Sequence, residues 1–93
     1  MSSKFLVHMK ADSIGVVIEN ITKGEKVEGV YMDTFGKLQV KAVENITFGH
    51  KIAIKQMEKG RKVIEYGESI GEVVHPIKKG AHVHTHNIKS LRW

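Results

Sequence analysis

The sequence predicts a small all-β domain in which short strands close into a barrel-like or sandwich-like unit. Three observations carry this. Apolar residues recur at every second position, which is strand spacing because successive side chains point to opposite faces. No stretch of helix length keeps a helical period. Glycine, asparagine and aspartate separate the apolar runs, as turns separate the strands of an all-β domain.

A first strand is expected over 4–10, where Phe5, Val7 and Met9 alternate with Leu6, His8 and Lys10. Asp12-Ser13 closes it, and a second strand over 14–20 runs to Asn20. A third, over 27–32, stops at Asp33-Thr34-Phe35-Gly36. In a fourth, over 37–43, Leu38, Val40 and Ala42 alternate with Lys37, Gln39, Lys41 and Val43. The fifth, over 50–55, sets Ile52 and Ile54 against Lys51, Ala53 and Lys55. Strands over 62–66 and 71–75 follow, the latter ended by Pro76, which donates no ladder hydrogen bond. The eighth is expected over 82–86.

An internal repeat runs through this pattern. Ile21-Thr22-Lys23-Gly24-Glu25-Lys26-Val27 recurs as Ile46-Thr47-Phe48-Gly49-His50-Lys51-Ile52, as Met57-Glu58-Lys59-Gly60-Arg61-Lys62-Val63 and as Ile77-Lys78-Lys79-Gly80-Ala81-His82-Val83. Each copy reads apolar, two variable, Gly, two variable, apolar. The glycine suits a turn with φ above zero, and the flanking apolar residues should plug the core. Unequal spacing between copies argues against a solenoid.

Ninety-three residues suit one domain, 1–93. Its core is modest, because a chain of this size buries only about 60–65% of its unfolded surface. Absence of cysteine removes disulfides and thiolate metal ligands. No long apolar run follows Met1-Ser2-Ser3-Lys4-Phe5, so neither a secretion signal nor a membrane span is expected, and the expected location is cytoplasmic. A net charge of +5 suits nucleic acid, a membrane surface or a small anionic substrate. The lysines and arginines are scattered, however, without interleaved aromatics, so no nucleic-acid partner is expected.

Half of the six histidines fall in Gly80-Ala81-His82-Val83-His84-Thr85-His86-Asn87. In an extended strand His82, His84 and His86 share one face, with Val83 and Thr85 on the other. Such a row can ligate a metal, meet an anionic substrate, or be a histidine-rich surface strand; spacing leaves all three open. Without cysteine, a metal reading pairs histidine with aspartate or glutamate, a set suited to zinc, iron or manganese. Gly49-His50-Lys51 follows a repeat turn. His50 can act as acid or base near neutrality, and Lys51 can bind a carboxylate, phosphate or sulfonate. Alone, Lys51 reads as a solvated strand lysine. Tyr66-Gly67-Glu68-Ser69-Ile70-Gly71 suggests a hairpin or sharp corner presenting Tyr66. Asn87 can hydrogen-bond a hydroxy acid. His8 and His75 are isolated and read as structural or surface residues. No nucleophile elbow surrounds a serine, and no phosphate-binding glycine loop is present.

The Gly49-His50-Lys51-Ile52-Ala53, Tyr66–Gly71 and Gly80–Asn87 stretches, in this order, resemble the N-terminal or small-subunit domain of the altronate/galactarate dehydratase family. This domain type, named SAF, is shared with sialic acid synthases and type III antifreeze proteins. The resemblance runs from about Phe5 to Trp93. Val27-Glu28-Gly29-Val30-Tyr31-Met32 and Asn87-Ile88-Lys89-Ser90-Leu91-Arg92-Trp93 are most similar to the sulfolactate sulfo-lyase branch. It implies a β-clip fold, a compact, much-bent set of short strands. It implies the small subunit of a two-chain carbon–oxygen or carbon–sulfur lyase. Such a lyase eliminates water from a sugar acid such as altronate or galactarate, or sulfite from sulfolactate. A separate larger catalytic subunit is then expected, without which this chain is inactive. The expected substrate is a small anionic hydroxy acid, and the expected cofactor a divalent metal, iron in altronate-type members. Carried over residue by residue, the resemblance points to His50, Lys51 and Tyr66 as catalytic, His82 and Asn87 as substrate-binding, and His84 and His86 as metal ligands. A homo-oligomer is compatible with it. The competing reading is a free-standing, non-catalytic SAF module that binds a sugar acid or small anion, since fold does not imply function.

Overall fold

A computed structural model describes residues 3–84 and 86–90. Thr85 of the histidine row and the Leu91-Arg92-Trp93 ending lie outside the described residues, as do Met1 and Ser2. Nine strands succeed one another among the described residues: β1 (Phe5–Val7), β2 (Ile14–Val17), β3 (Lys26–Tyr31), β4 (Lys37–Lys41), β5 (Lys51–Ala53), β6 (Lys62–Glu65), β7 (Glu68–Val73), β8 (His82–Val83) and β9 (Ile88–Ser90). They form a six-stranded sheet in the order β4-β3-β1-β2-β5-β8 and a three-stranded sheet in the order β6-β7-β9. The all-β expectation therefore holds. No helix among the described residues is long and apolar enough to cross a membrane.

The repeat is the frame of the molecule. Each copy is a turn in which the residue after the glycine donates its N–H to the carbonyl three residues back: Glu25 to Thr22, His50 to Thr47, Arg61 to Glu58 and Ala81 to Lys78, at 3.0 to 3.1 Å. The glycines have φ of 89°, 88°, 90° and 89°, the position a type II turn reserves for glycine. The first apolar residues pair across the fold, Ile21 with Ile46 and Met57 with Ile77, each as an isolated antiparallel bridge. Both flanking residues of every copy are at most 3% exposed. The first two copies close one core with Phe5, Val7, Val17 and Val40. The last two close a second core with Ile14, Ala53, Val73 and Ala81. The repeat thus builds two similar corners, each sealing its own apolar cluster by removing side chains from water.

Four strand expectations change most, the second strand ending at Val17 rather than at 20. The first strand stops at Val7, because a turn follows in which Asp12 donates its N–H to the Met9 carbonyl. The seventh starts earlier, at Glu68, and pairs with β6 through a bulge between Val63 and Ile64. The eighth does not reach 86: β8 ends at Val83, the chain turns, and β9 leaves as an additional strand against β7. The cause is Asn87, which is 6% exposed. Its Oδ1 accepts from the His84 N–H at 2.9 Å, and its Nδ2 donates to the His82 carbonyl at 2.8 Å. An asparagine that bonds nearby backbone offers the chain a turn in place of a ladder.

Candidate active site

Residue parity explains where the candidate side chains go. Ile52 is fully buried in the first core, and His50, two residues earlier, shares its side of β5. His82 lies opposite Ile52 in the antiparallel pairing, so it projects to that same side. His50 Nδ1 and His82 Nε2 meet at 3.0 Å. The turn set by Asn87 then folds the other two histidines back onto this pair. Ring centroids are 5.7 Å apart for His50 and His84, 5.4 Å for His82 and His84, 5.6 Å for His82 and His86, and 6.4 Å for His84 and His86. Four of the six histidines therefore cluster, through a turn rather than along a strand. Burial lowers the pKa of His82 from 6.5, the charge of His50 adds to this, and His84 and His86 act in the same direction against Glu44. Glu44 accepts the His82 backbone N–H at 2.9 Å. A cleft of about 370 Å³ lies beside His86, the one histidine of the cluster in its lining, with Glu44, His75, Lys78 and Asn87 among its walls.

Lys51 takes the other side of β5. It lies opposite Val83, which belongs to the second core. Its Nζ bonds Glu65 Oε2 at 2.6 Å, with the Glu65 side chain only 9% exposed. Tyr66 follows Glu65 and begins the two-residue tip of the β6–β7 hairpin. Its ring is 59% exposed and stacks on His8 with centroids 3.8 Å apart. His8 is thus not isolated, as its position in the sequence suggested. The structure gathers His50, His82, His84 and His86 around the Asn87 turn, pairs Lys51 with Glu65, and stacks Tyr66 on His8. The Asn87 amide bonds the backbone of His84 and His82, so this residue shapes the turn that carries the histidine cluster. Glu65, Glu44 and Asp12 escaped sequence reading. Only the strand parity of Glu65 and its place before the Tyr-Gly turn offered any signal.

The histidine donors are of the type that zinc or iron accepts. Among the described residues, however, no three His, Asp or Glu side chains are arranged to hold an ion. The two expected ligands, His84 and His86, stand with ring centroids 6.4 Å apart.

Residues 3–91 match the family model described as the altronate/galactarate dehydratase SAF domain. The chain is 42% identical over 94 aligned positions, the whole of both chains, to the (2R)-sulfolactate sulfo-lyase subunit alpha of Chromohalobacter salexigens. It is 48% identical over 52 residues to the protein of the same name from Paracoccus pantotrophus, covering 56% of this chain and 78% of that one. Altronate dehydratase of Bacillus subtilis is 30% identical over 90 residues, which are 97% of this chain and 17% of that enzyme.

Proposed function

Because this chain belongs to the altronate/galactarate dehydratase SAF-domain family, we propose that it is the small subunit of a two-chain lyase that eliminates sulfite or water from a hydroxy acid. The observation that carries this reading is the end-to-end match to a protein named as subunit alpha of a sulfo-lyase. The chain is a lyase subunit, and a subunit of this kind works with a partner chain. Sulfolactate is the first substrate to test, with altronate-type sugar acids next, and the expected location is the cytoplasm.

The chemistry asks for three things. A base takes the proton beside the carboxylate, the developing negative charge is stabilised, and the leaving group departs with the electron pair of its carbon–oxygen or carbon–sulfur bond. Burial, then the charge of His50, lowers the pKa of His82, which favours the neutral imidazole a base requires, and His50 at 3.0 Å can relay the proton. Lys51, oriented by Glu65 on the other side of β5 from the histidines, offers a fixed positive charge to an anionic group that reaches that side. Tyr66 presents a phenol that can donate a hydrogen bond. The cleft beside His86 receives the acid. A divalent metal, expected to be iron, would stabilise the anionic intermediate, with His84 and His86 completed by donors of the larger chain.

The test is reconstitution with the larger subunit and an assay of sulfite release from sulfolactate. His50→Ala should lower turnover by about a hundredfold or more, as loss of a positioned acid–base group does, and His84→Ala should lower it markedly by removing a metal ligand, while the circular dichroism of the chain stays unchanged. The chain alone should be inactive. Full turnover in both variants would favour a non-catalytic acid-binding module instead.

A further inference from the structure

We propose that Asp12 is the positioning residue of this site: its buried carboxylate holds Tyr66 in a left-handed conformation with the ring stacked on His8. The inference rests on the reading above that Tyr66 serves the lyase reaction.

Asp12 is fully buried. A carboxylate removed from water needs strong hydrogen-bond donors, and here all three are backbone amides. Met9 N–H donates to Oδ2 at 3.2 Å, Tyr66 N–H to Oδ2 at 2.9 Å and Gly67 N–H to Oδ1 at 3.0 Å. Tyr66 and Gly67 are 54 and 55 residues away in sequence, so one side chain ties the turn after β1 to the tip of the β6–β7 hairpin. That turn also carries His8.

The conformation it holds is unusual. Tyr66 has φ of 57° and Gly67 of 75°. Two successive residues at positive φ make the mirror-image turn that hairpins favour, and its preferred first residue is asparagine, aspartate or glycine. A bulky aromatic at that position is strained. A turn alone gains nothing from tyrosine there, yet the ring stands exposed and stacked on His8 at 3.8 Å, with planes 21° apart. Strain of this kind is kept where surrounding structure over-determines it, and it concentrates at functional sites. The residue just before Tyr66 is Glu65, which holds the Lys51 ammonium. Asp12 therefore sets the attitude of Tyr66 and its stack with His8, next in sequence to the Glu65 that holds Lys51, while touching none of the reacting atoms.

The experiment is a double-mutant cycle on the reconstituted two-chain enzyme, reading kcat and KM separately. Asp12→Asn keeps the shape but weakens the clamp, since one oxygen becomes a donor facing amide donors. It should lower kcat by about tenfold or more, because small misplacement of a reacting group is costly, with KM within about twofold. In the Tyr66→Ala background the same change should cost less than about twofold, because residues acting through one another are not additive. A merely structural aspartate would lower kcat by the same factor in both backgrounds, and that result overturns the proposal. If Asp12→Asn does not fold, His8→Leu replaces it in the cycle; this breaks the stack at the surface and should show the same non-additivity, whereas additive losses again overturn the proposal. Full turnover by Tyr66→Ala overturns the proposal together with the role of Tyr66, and leaves the histidine cluster standing.

Discussion

Replacing the four turn glycines by alanine should not have equal effects, although their backbone angles agree to within 2°. At such a φ an L side chain costs about 1–2 kcal/mol, and the stiffer unfolded chain returns about 0.4–1 kcal/mol of that. A Cβ at Gly24 meets nothing within 4 Å, so Gly24→Ala should destabilise by only about 0.5–1.5 kcal/mol. A Cβ at Gly80 would overlap the Lys41 carbonyl oxygen and lie 3.3 Å from Ala42 Cα. These are backbone atoms and cannot swing aside. Relief means parting the Gly80 turn from the segment after β4. That movement stretches the bond from Val43 N–H to the Gly80 carbonyl, 3.1 Å, and the bond from Gly80 N–H to the Ala53 carbonyl, 2.8 Å. Overpacking of about 1–3 kcal/mol and weakening of two bonds of about 1 kcal/mol each bring Gly80→Ala to about 3–5 kcal/mol. A chain of 93 residues has roughly 5–14 kcal/mol in all. At about 4–8 °C per kcal/mol, Gly24→Ala should lower Tm by roughly 5 °C and Gly80→Ala by 15 °C or more. Urea unfolding of the two variants in parallel measures the difference. If the two midpoints give the same loss of stability within about 0.5 kcal/mol, the usual additivity error, the turn angle alone governs both and the contact with Lys41 is not rigid.

Other outcomes are expected. The pKa of His82 is depressed below its ordinary 6.5, so below about that pH the unfolded chain takes up a proton that the folded chain resists. Stability present above it is then lost as pH falls towards the folded value. His82→Gln should flatten the fall in Tm between about pH 7 and pH 5, and an unchanged slope would assign the effect to another group. Lys51→Ala leaves the nearly buried Glu65 carboxylate without its cation and should cost about 1–3 kcal/mol, restored in part by the further change Glu65→Gln. Phe35 is 75% exposed with φ of 61°; Phe35→Asn, which suits that conformation, should raise stability by up to about 1 kcal/mol. A lower Tm would show that the Phe35 ring makes contacts that outweigh the strain.

Much of the frame was legible along the chain. Period-two alternation located β3, β4, β5 and β6 closely, because a strand half buried in a core must alternate. The repeat announced its own turns, since a type II turn demands glycine at one place and the flanking residues are sealed in the two cores. Less was legible at the site. Histidines spaced two apart suggested a strand, yet the ladder stops at Val83 because the Asn87 side chain captures the backbone of His82 and His84. Adjacent residues His50 and Lys51 suggested one site, yet alternation sends them to opposite sides of β5, the first to His82 and the second to Glu65.

Local patterning along the chain sufficed to specify the class of fold, its corners and the kind of side chains that carry the chemistry. Periodicity and turn geometry act over a few residues, so a linear reading captures them. Which of those side chains meet depended on pairings across the fold: Ile52 opposite His82, Lys51 reaching Glu65, and Asp12 clamping the hairpin tip more than fifty residues away. Such contacts are set by strand order and register, and nothing within either segment alone encodes its partner.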